Sequence, residues 1–188
     1  MMGPWSERFE RDFSRYVGTE YAISVNSCTT ALTLCLSYLG AKDHEVLVPA
    51  ASFVTDVSSP VFAGGSPVLV DIDPRTLAPS VDHLTRKMTS KTRGIIWVHL
   101  TGIISPSHEE IIDFAYQNDL FLLEDASHAH GASANGRLAG SFGDSACFSF
   151  YPTKIISTGT GGMITTNNAD LATFVREMRL FGKDLKTG

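Results

Sequence analysis

Asp125 and Lys154 are where the chemistry of this sequence begins. Asp125 ends the apolar run LFLLED, and Lys154 follows the aromatic run CFSFYPTK. A carboxylate just past a buried strand must be solvated, paired or put to use. On its own, Asp125 reads as well as a structural group, a helix N-cap or half of a salt bridge, as it does as a functional one. Lys154 on its own reads as surface charge, but a desolvated lysine loses its proton readily and becomes an imine-forming nucleophile. Together the two match what pyridoxal phosphate needs: an acid partner for the pyridinium nitrogen and an amine for the aldehyde. The ring then acts as an electron sink.

A phosphate would need its own donors. In Asn26-Ser27-Cys28-Thr29-Thr30 a strand ends and a helix begins, which leaves free backbone N–H groups at a positive dipole end. The alternative is an ordinary N-cap at Ser27 or Thr29. Ser149 offers a hydroxyl to the same phosphate. Phe53 reads either as core or as a ring that stacks on a cofactor.

Elements that place these residues can be read from the hydrophobic pattern. β-rich runs occur at Tyr21–Asn26, Glu45–Pro49, Pro67–Ile72, Gly94–Leu100, Leu120–Glu124, Ala146–Tyr151 and Gly162–Thr166. Runs such as VLVDI and GIIWV are continuously apolar, which suits strands covered on both faces. Helical spacing puts Ala31, Leu34, Cys35 and Leu39 on one face. It does the same for Ile111, Ile112, Ala115 and Tyr116, in a helix that Ser107 would cap, and for Leu171, Phe174, Val175 and Met178 in a final helix. Alternating strands and helices predict an α/β fold of three layers, a mostly parallel sheet flanked by helices. There is no internal repeat and no linker, so residues 1–188 read as one domain. Such sheets bind ligands beyond the carboxyl ends of their strands. That rule directs attention to Asn26–Thr30, Pro49–Phe53, Glu124–His130 and the segment around Lys154.

Composition excludes several classes. A net charge of −5, with no basic cluster to offset it, argues against a nucleic-acid surface. Arg86, Lys87, Lys91 and Arg93 read as a solvated helix end and loop. Cys28, Cys35 and Cys147 lack metal or redox spacing and sit in apolar segments, as small hydrophobes do. No apolar run is long enough to span a membrane, and the opening MMGPWSERFERDF is too charged for a secretory signal. The reducing cytoplasm is the expected setting. NSCTTAL lacks the glycines of a dinucleotide turn, and no Gly-Lys-Ser/Thr follows TGTGG.

From about Phe9 to Gly182 the sequence resembles the DegT/DnrJ/EryC1/StrS family of sugar aminotransferases, which have the aspartate-aminotransferase-like fold. The likeness rests on EDASHAHGA, then GSFGDSACFSFYPTK, then GTGGMITTNN. It implies that Asp125 pairs with the cofactor nitrogen and that Lys154 forms the Schiff base. It implies further that Ser149, with Cys28 and Thr29 of the NSCTTAL turn, reaches the phosphate. Phe53 of SFVTD would stack on the ring, and His128, where relatives often have glutamine, would lie near the phenolic oxygen. The implied reaction moves an amino group, from glutamate, to the keto carbon of a nucleotide-activated sugar, as in the making of cell-surface polysaccharide or antibiotic sugars. The implied assembly is a homodimer. The minority of relatives that are dehydratases replace the lysine with histidine, and Lys154 argues against that chemistry. Thr160 stands where an acidic residue is common, and Leu180-Phe181-Gly182 where many relatives have histidine before the glycine. Relatives are about twice as long, so these 188 residues would be the cofactor-binding large domain without the small C-terminal one. The alternative is a non-catalytic fragment or interaction subunit that keeps the scaffold.

Overall fold

A computed structural model describes residues 3–183. The chain opens on α1 (Pro4–Val17), which begins with proline where a missing N–H costs nothing and stops at Gly18 in the left-handed region, φ 86°. Strands and helices then alternate: β1 (Tyr21–Val25), α2 (Cys28–Tyr38), β2 (Glu45–Pro49), α3 (Val54–Phe62), β3 (Ser66–Val70), α4 (Val81–Lys87), β4 (Thr92–Val98), α5 (His108–Gln117) and β5 (Phe121–Asp125). A two-residue hairpin, β6 (Ser133–Ala134) with β7 (Arg137–Leu138), precedes β8 (Ser145–Ser149), β9 (Gly162–Thr166) and α6 (Ala169–Met178).

Seven strands form one sheet in the order β1-β9-β8-β5-β4-β2-β3. From β3 across to β8 every pair is parallel, and β9 runs antiparallel to both β8 and β1. The period of two along each strand divides the core. Val46, Val48, Ile96, Leu123, Cys147 and Ile164 face one side and pack with residues of α2 and α6. Leu47, Ile95, Trp97 and Leu122 face the other and meet α4 and α5, while Ala146, Phe148 and Met163 meet α1 there. The mostly parallel, three-layer architecture expected from the sequence is therefore present. No helix among the described residues is long and apolar enough to cross a membrane.

Several local expectations change. β3 is the sheet edge, paired only with β2, and Leu69 on it is 49% exposed, so VLVDI is not covered on both faces. In α5 the buried stripe is Ile111, Phe114 and Ala115, while Tyr116 points to solvent. Ser107 occupies the N-cap position of α5, but its side chain makes no capping bond, and its amide instead donates to Ser105 Oγ at 3.2 Å. In α2 the fully buried residues are Ala31, Leu32, Cys35 and Leu36, with Leu34 and Leu39 at the margin. In α6, Met178 is exposed while Ala172 is buried. All three cysteines are unpaired.

The same alternation separates two adjacent carboxylates at the end of β5, whose residues are all buried. Glu124 turns toward the α4–α5 side. There it accepts the backbone amides of Gly140 at 2.8 Å, Phe142 at 2.7 Å and Gly143 at 2.9 Å, and stands 2.8 Å from His99 Nε2. One side chain thus holds the turn that leads the chain back into β8. Glu124→Ala should cost about 3–5 kcal/mol, because it strands several buried donors at once. Urea unfolding followed by circular dichroism would measure the loss; a variant within 1 kcal/mol of the parent chain would contradict this role.

Candidate active site

Beyond the carboxyl end of the sheet lies a cavity of about 410 Å³. Cys28, Thr29, Phe53, Asp125, His128, Ser149 and Lys154 all line it. The structure thus brings together every residue that the sequence nominated, from four separate crossings of the chain over the strand ends.

The helix start at α2 shows why a phosphate suits it. Ser27 caps the helix, its Oγ accepting the Thr30 amide at 3.1 Å, while its carbonyl takes the Ala31 amide. Among the described residues, the amides of Cys28 and Thr29 have no such partner, and both residues face the cavity at the positive end of an 11-residue helix. The N-cap and phosphate readings of this turn are therefore compatible, since different groups serve each. Gly162 lets the turn lie there, because a Cβ on it would stand 2.4 Å from the Ser27 carbonyl carbon. Ser149, 6% exposed, closes the same wall.

Asp125 ends β5 on the α2 side, opposite to Glu124. Its Oδ1 accepts the Ser127 amide at 2.8 Å and lies 3.9 Å from Cys28 Sγ. No helix begins at Asp125, so it is not a helix N-cap; its carboxylate instead closes a tight turn at Ser127, and among the described residues no salt bridge engages it. Burial first, and then the carboxyls of Asp125 and Asp56, push the Cys28 thiol up, so it stays protonated and is no nucleophile.

Lys154 sits in a turn where its amide bonds to Tyr151 O at 2.9 Å. Phe150 closes the base of this loop, donating to Gly161 O at 2.9 Å and accepting from the Thr158 amide at 3.1 Å. Every residue from Tyr151 to Thr160 is exposed except Lys154, which is half-buried. This chain therefore does not enclose the lysine as fully as a desolvated nucleophile would need. His128 is held below its ordinary pKa by partial burial and then by the Lys154 charge, which keeps the imidazole neutral at neutral pH. Phe53 is 68% exposed at the start of α3, which removes the core reading and leaves its ring free on the cavity wall.

One residue beside the site escaped the sequence. Asp56, in the first turn of α3, is wholly buried, and neither of its oxygens has a hydrogen-bond partner. Its neighbours are the Asp125 carboxyl, the Ser52 side chain and the Phe53 backbone. Burial, and behind it the Asp125 charge, push Asp56 up to about 9. The sequence held only a weak signal: a carboxylate three residues past Phe53 in SFVTD. Thr55, Ser127, Tyr151, Thr153, Thr160 and Gly161 also line the cavity without having been nominated for it.

Comparison with known proteins gives a family. The model of the DegT/DnrJ/EryC1/StrS aminotransferase family matches residues 1–188, and the chain belongs to that family. It is 42% identical to the GDP-perosamine synthase of Caulobacter vibrioides, over 97% of this chain and 49% of that protein. It is 35% identical to the dTDP-4-dehydro-2,3,6-trideoxy-D-glucose 4-aminotransferase of Saccharopolyspora spinosa, over 100% of this chain and 49% of that one. Among solved structures it superposes on NtdA from Bacillus subtilis, solved with bound cofactor PMP, with a TM-score of 0.87 and 32% identity. That match covers 94% of this chain and 40% of the other. The chain spans about half the length of the curated relatives it matches.

The helix-start geometry yields a test. Gly162→Val should displace the Ser27–Cys28 turn and weaken pyridoxal phosphate binding by roughly tenfold or more, equivalent to losing one charge-assisted hydrogen bond. Titration by fluorescence quenching would measure it. Unchanged affinity would disconnect this turn from the phosphate.

Proposed function

We propose that this member of the DegT/DnrJ/EryC1/StrS aminotransferase family holds pyridoxal phosphate at Lys154 and serves the transfer of an amino group, from glutamate, to the keto carbon of a nucleotide-activated sugar. The reading is carried by one observation: an acid, an amine and two unpartnered helix-start amides meet on a single cavity. They are the donor set that a phosphorylated pyridine aldehyde requires. Such a cofactor supplies an electron sink when bound.

The chain's own groups divide the work. The Lys154 amine would hold the cofactor through its aldehyde and, as a free amine, would move a proton at the substrate carbon. Asp125 would accept the ring N–H and keep it protonated. The amides of Cys28 and Thr29 and the Ser149 hydroxyl would donate to the phosphate. Phe53 would cover one face of the ring, and neutral His128 would serve the phenolic oxygen. A lysine at position 154, in place of histidine, favours amino transfer over dehydration.

The substrate class leans on the two curated relatives, whose names specify GDP-perosamine and a dTDP-4-dehydro sugar. Since nucleotide and sugar differ between them, the class carries over to this chain and the particular sugar does not. A homodimer suits the exposed apolar side chains along α3, where Phe53, Val54 and Phe62 are 68%, 66% and 67% exposed. Three unpaired cysteines suit the reducing cytoplasm. The loop around Lys154 is open, so residues 1–188 by themselves should bind the cofactor weakly at best and should not turn over, since even slight misplacement of reacting groups is costly in rate.

Borohydride reduction with peptide mapping tests the assignment. The pyridoxyl group should appear on Lys154 and vanish in Lys154→Ala, with the circular dichroism of the fold unchanged. Label on Lys91 or Lys183 would overturn it. Asp125→Asn should weaken cofactor binding and nearly abolish the glutamate half-reaction of the whole protein, because an amide cannot hold the pyridinium proton. Near-normal half-reaction rates by stopped-flow absorbance would remove Asp125 from its role.

A further inference from the structure

The buried side of α3 is built the wrong way round for packing. Its buried residues are Asp56, Ser59 and Pro60, while Val54, Val61 and Phe62 point outward. Asp56 and Ser59 are both fully buried, and their side-chain oxygens lack partners. A helix normally buries its apolar stripe, and sequences depart from local rules mainly at functional sites. The departure here falls beside the carboxylate that ends β5.

We propose that Asp56 is a positioning residue for Asp125: the two buried carboxyls share one proton, which Asp56 holds and presents to Asp125, so that Asp125 meets a protonated ring nitrogen as a fixed anion. The inference rests on the cofactor reading above and adds to it a residue to which no role has been given. Two neighbouring carboxyls in a buried wall resist ionising together, and the one without a hydrogen-bond donor keeps the proton: Asp56 has none, whereas Asp125 accepts the Ser127 amide. Asp56 is fully buried, whereas Asp125, 3% exposed, opens onto the cavity. A hydrogen bond donated by Asp56 makes Asp125 a weaker base, and a weaker base leaves the proton on the ring nitrogen. Cys28, from the start of α2, and Cys147, on β8, stay neutral thiols, Ser52 and the Phe53 backbone flank Asp56, and neutral His128 and Lys154 share the cavity with Asp125. Among these only Lys154 brings a positive charge.

A shared proton also has a signature in the protein without cofactor. Between the ordinary carboxylate range and about 9, the folded chain binds one more proton than the unfolded chain at Asp56. Stability from this group is therefore greatest at low pH and falls as pH rises through that window.

The test uses Asp56→Asn, Asp56→Ala and Asp125→Asn in the whole protein. Infrared difference spectra of the wild type without cofactor should show the carbonyl stretch of a protonated carboxylic acid at about pH 7, where ordinary carboxylates have ionised. The band should be absent in Asp56→Asn and should titrate at lower pH in Asp125→Asn, which lacks the repelling charge. The urea midpoint of the wild type should fall between about pH 5 and pH 8 more steeply than that of Asp56→Asn. With pyridoxal phosphate added, Asp56→Asn keeps a donor to Asp125 and should retain wild-type affinity and the wild-type pH profile of cofactor absorbance. Asp56→Ala has no donor and should lose about tenfold in affinity with a displaced profile. A wild type without the acid band, or a band that survives in Asp56→Asn, would overturn the shared proton. An Asp56→Asn protein that behaves like Asp56→Ala, or an Asp56→Ala protein that behaves like wild type, would overturn the positioning role. If the wild type bound no pyridoxal phosphate at all, the functional reading and the positioning role would fall together, while the infrared band would still decide the proton.

Discussion

Glu124 and Asp125 leave the end of one fully buried strand in opposite directions, and the site is arranged around that divergence. A period of two permits nothing else. Glu124 goes to the α4–α5 side, where three amides of the 140–143 turn and His99 surround it. That turn sets how the chain re-enters the sheet as β8, and β8 in turn delivers Ser149 and the loop with Lys154. Asp125 goes to the α2 side, where the helix start, α3 and the cavity meet. A buried carboxylate must be satisfied or neutralised. One of the pair is satisfied by the backbone, and the other is left facing a cavity with an acid behind it.

The strands were legible because buried β runs are short, apolar and bounded, and all seven were found to within about two residues at each end. What was not legible was each element's neighbour. VLVDI has the composition of a strand covered on both faces, yet β3 lies at the sheet edge with Leu69 49% exposed. Composition records how apolar a strand is and not which elements lie beside or over it. The faces of α5 failed for a related reason. Ile111 and Ala115 belong to two overlapping stripes, one through Phe114 and one through Tyr116, and packing against the sheet selects the first.

For the site, the residues legible in sequence were those that chain direction alone places. Parallel strands gather their carboxyl ends on one edge, so Cys28, Thr29, Phe53, Asp125, His128, Ser149 and Lys154 had to be near one another once each was assigned to a strand end. Asp56 and Glu124 were not legible, because their importance lies in which way they point. An aspartate in the first turn of a helix ordinarily faces water and favours the helix dipole. Nothing in SFVTDVSSPVF announces that this helix is turned with its polar positions inward. His99 was hidden likewise, as the buried partner of a glutamate whose neighbour drew the attention.

The inverted helix also bears on charge balance. α3 has only nine residues and contains Pro60, and beside Asp56 and Ser59 it packs only Pro60 and part of Val57 inward, so its orientation is held by α2 and by the β2 and β3 ends it connects. Turning it the other way would bury Val54, Val61 and Phe62 and free Asp56 to reach water, a better bargain for the isolated chain by hydrophobic burial alone. The observed orientation instead gives the wall behind Asp125 a single negative charge. With two, the ion-ion repulsion and desolvation would be unopposed before any ligand arrived. With none, a protonated ring nitrogen would be buried without a counter-ion. One carboxylate with one carboxylic acid is the state that an aromatic cation of unit charge can enter without an uncompensated charge on either side. The apolar residues displaced to the outside of α3, Val54, Val61 and Phe62, are then the cost of that match.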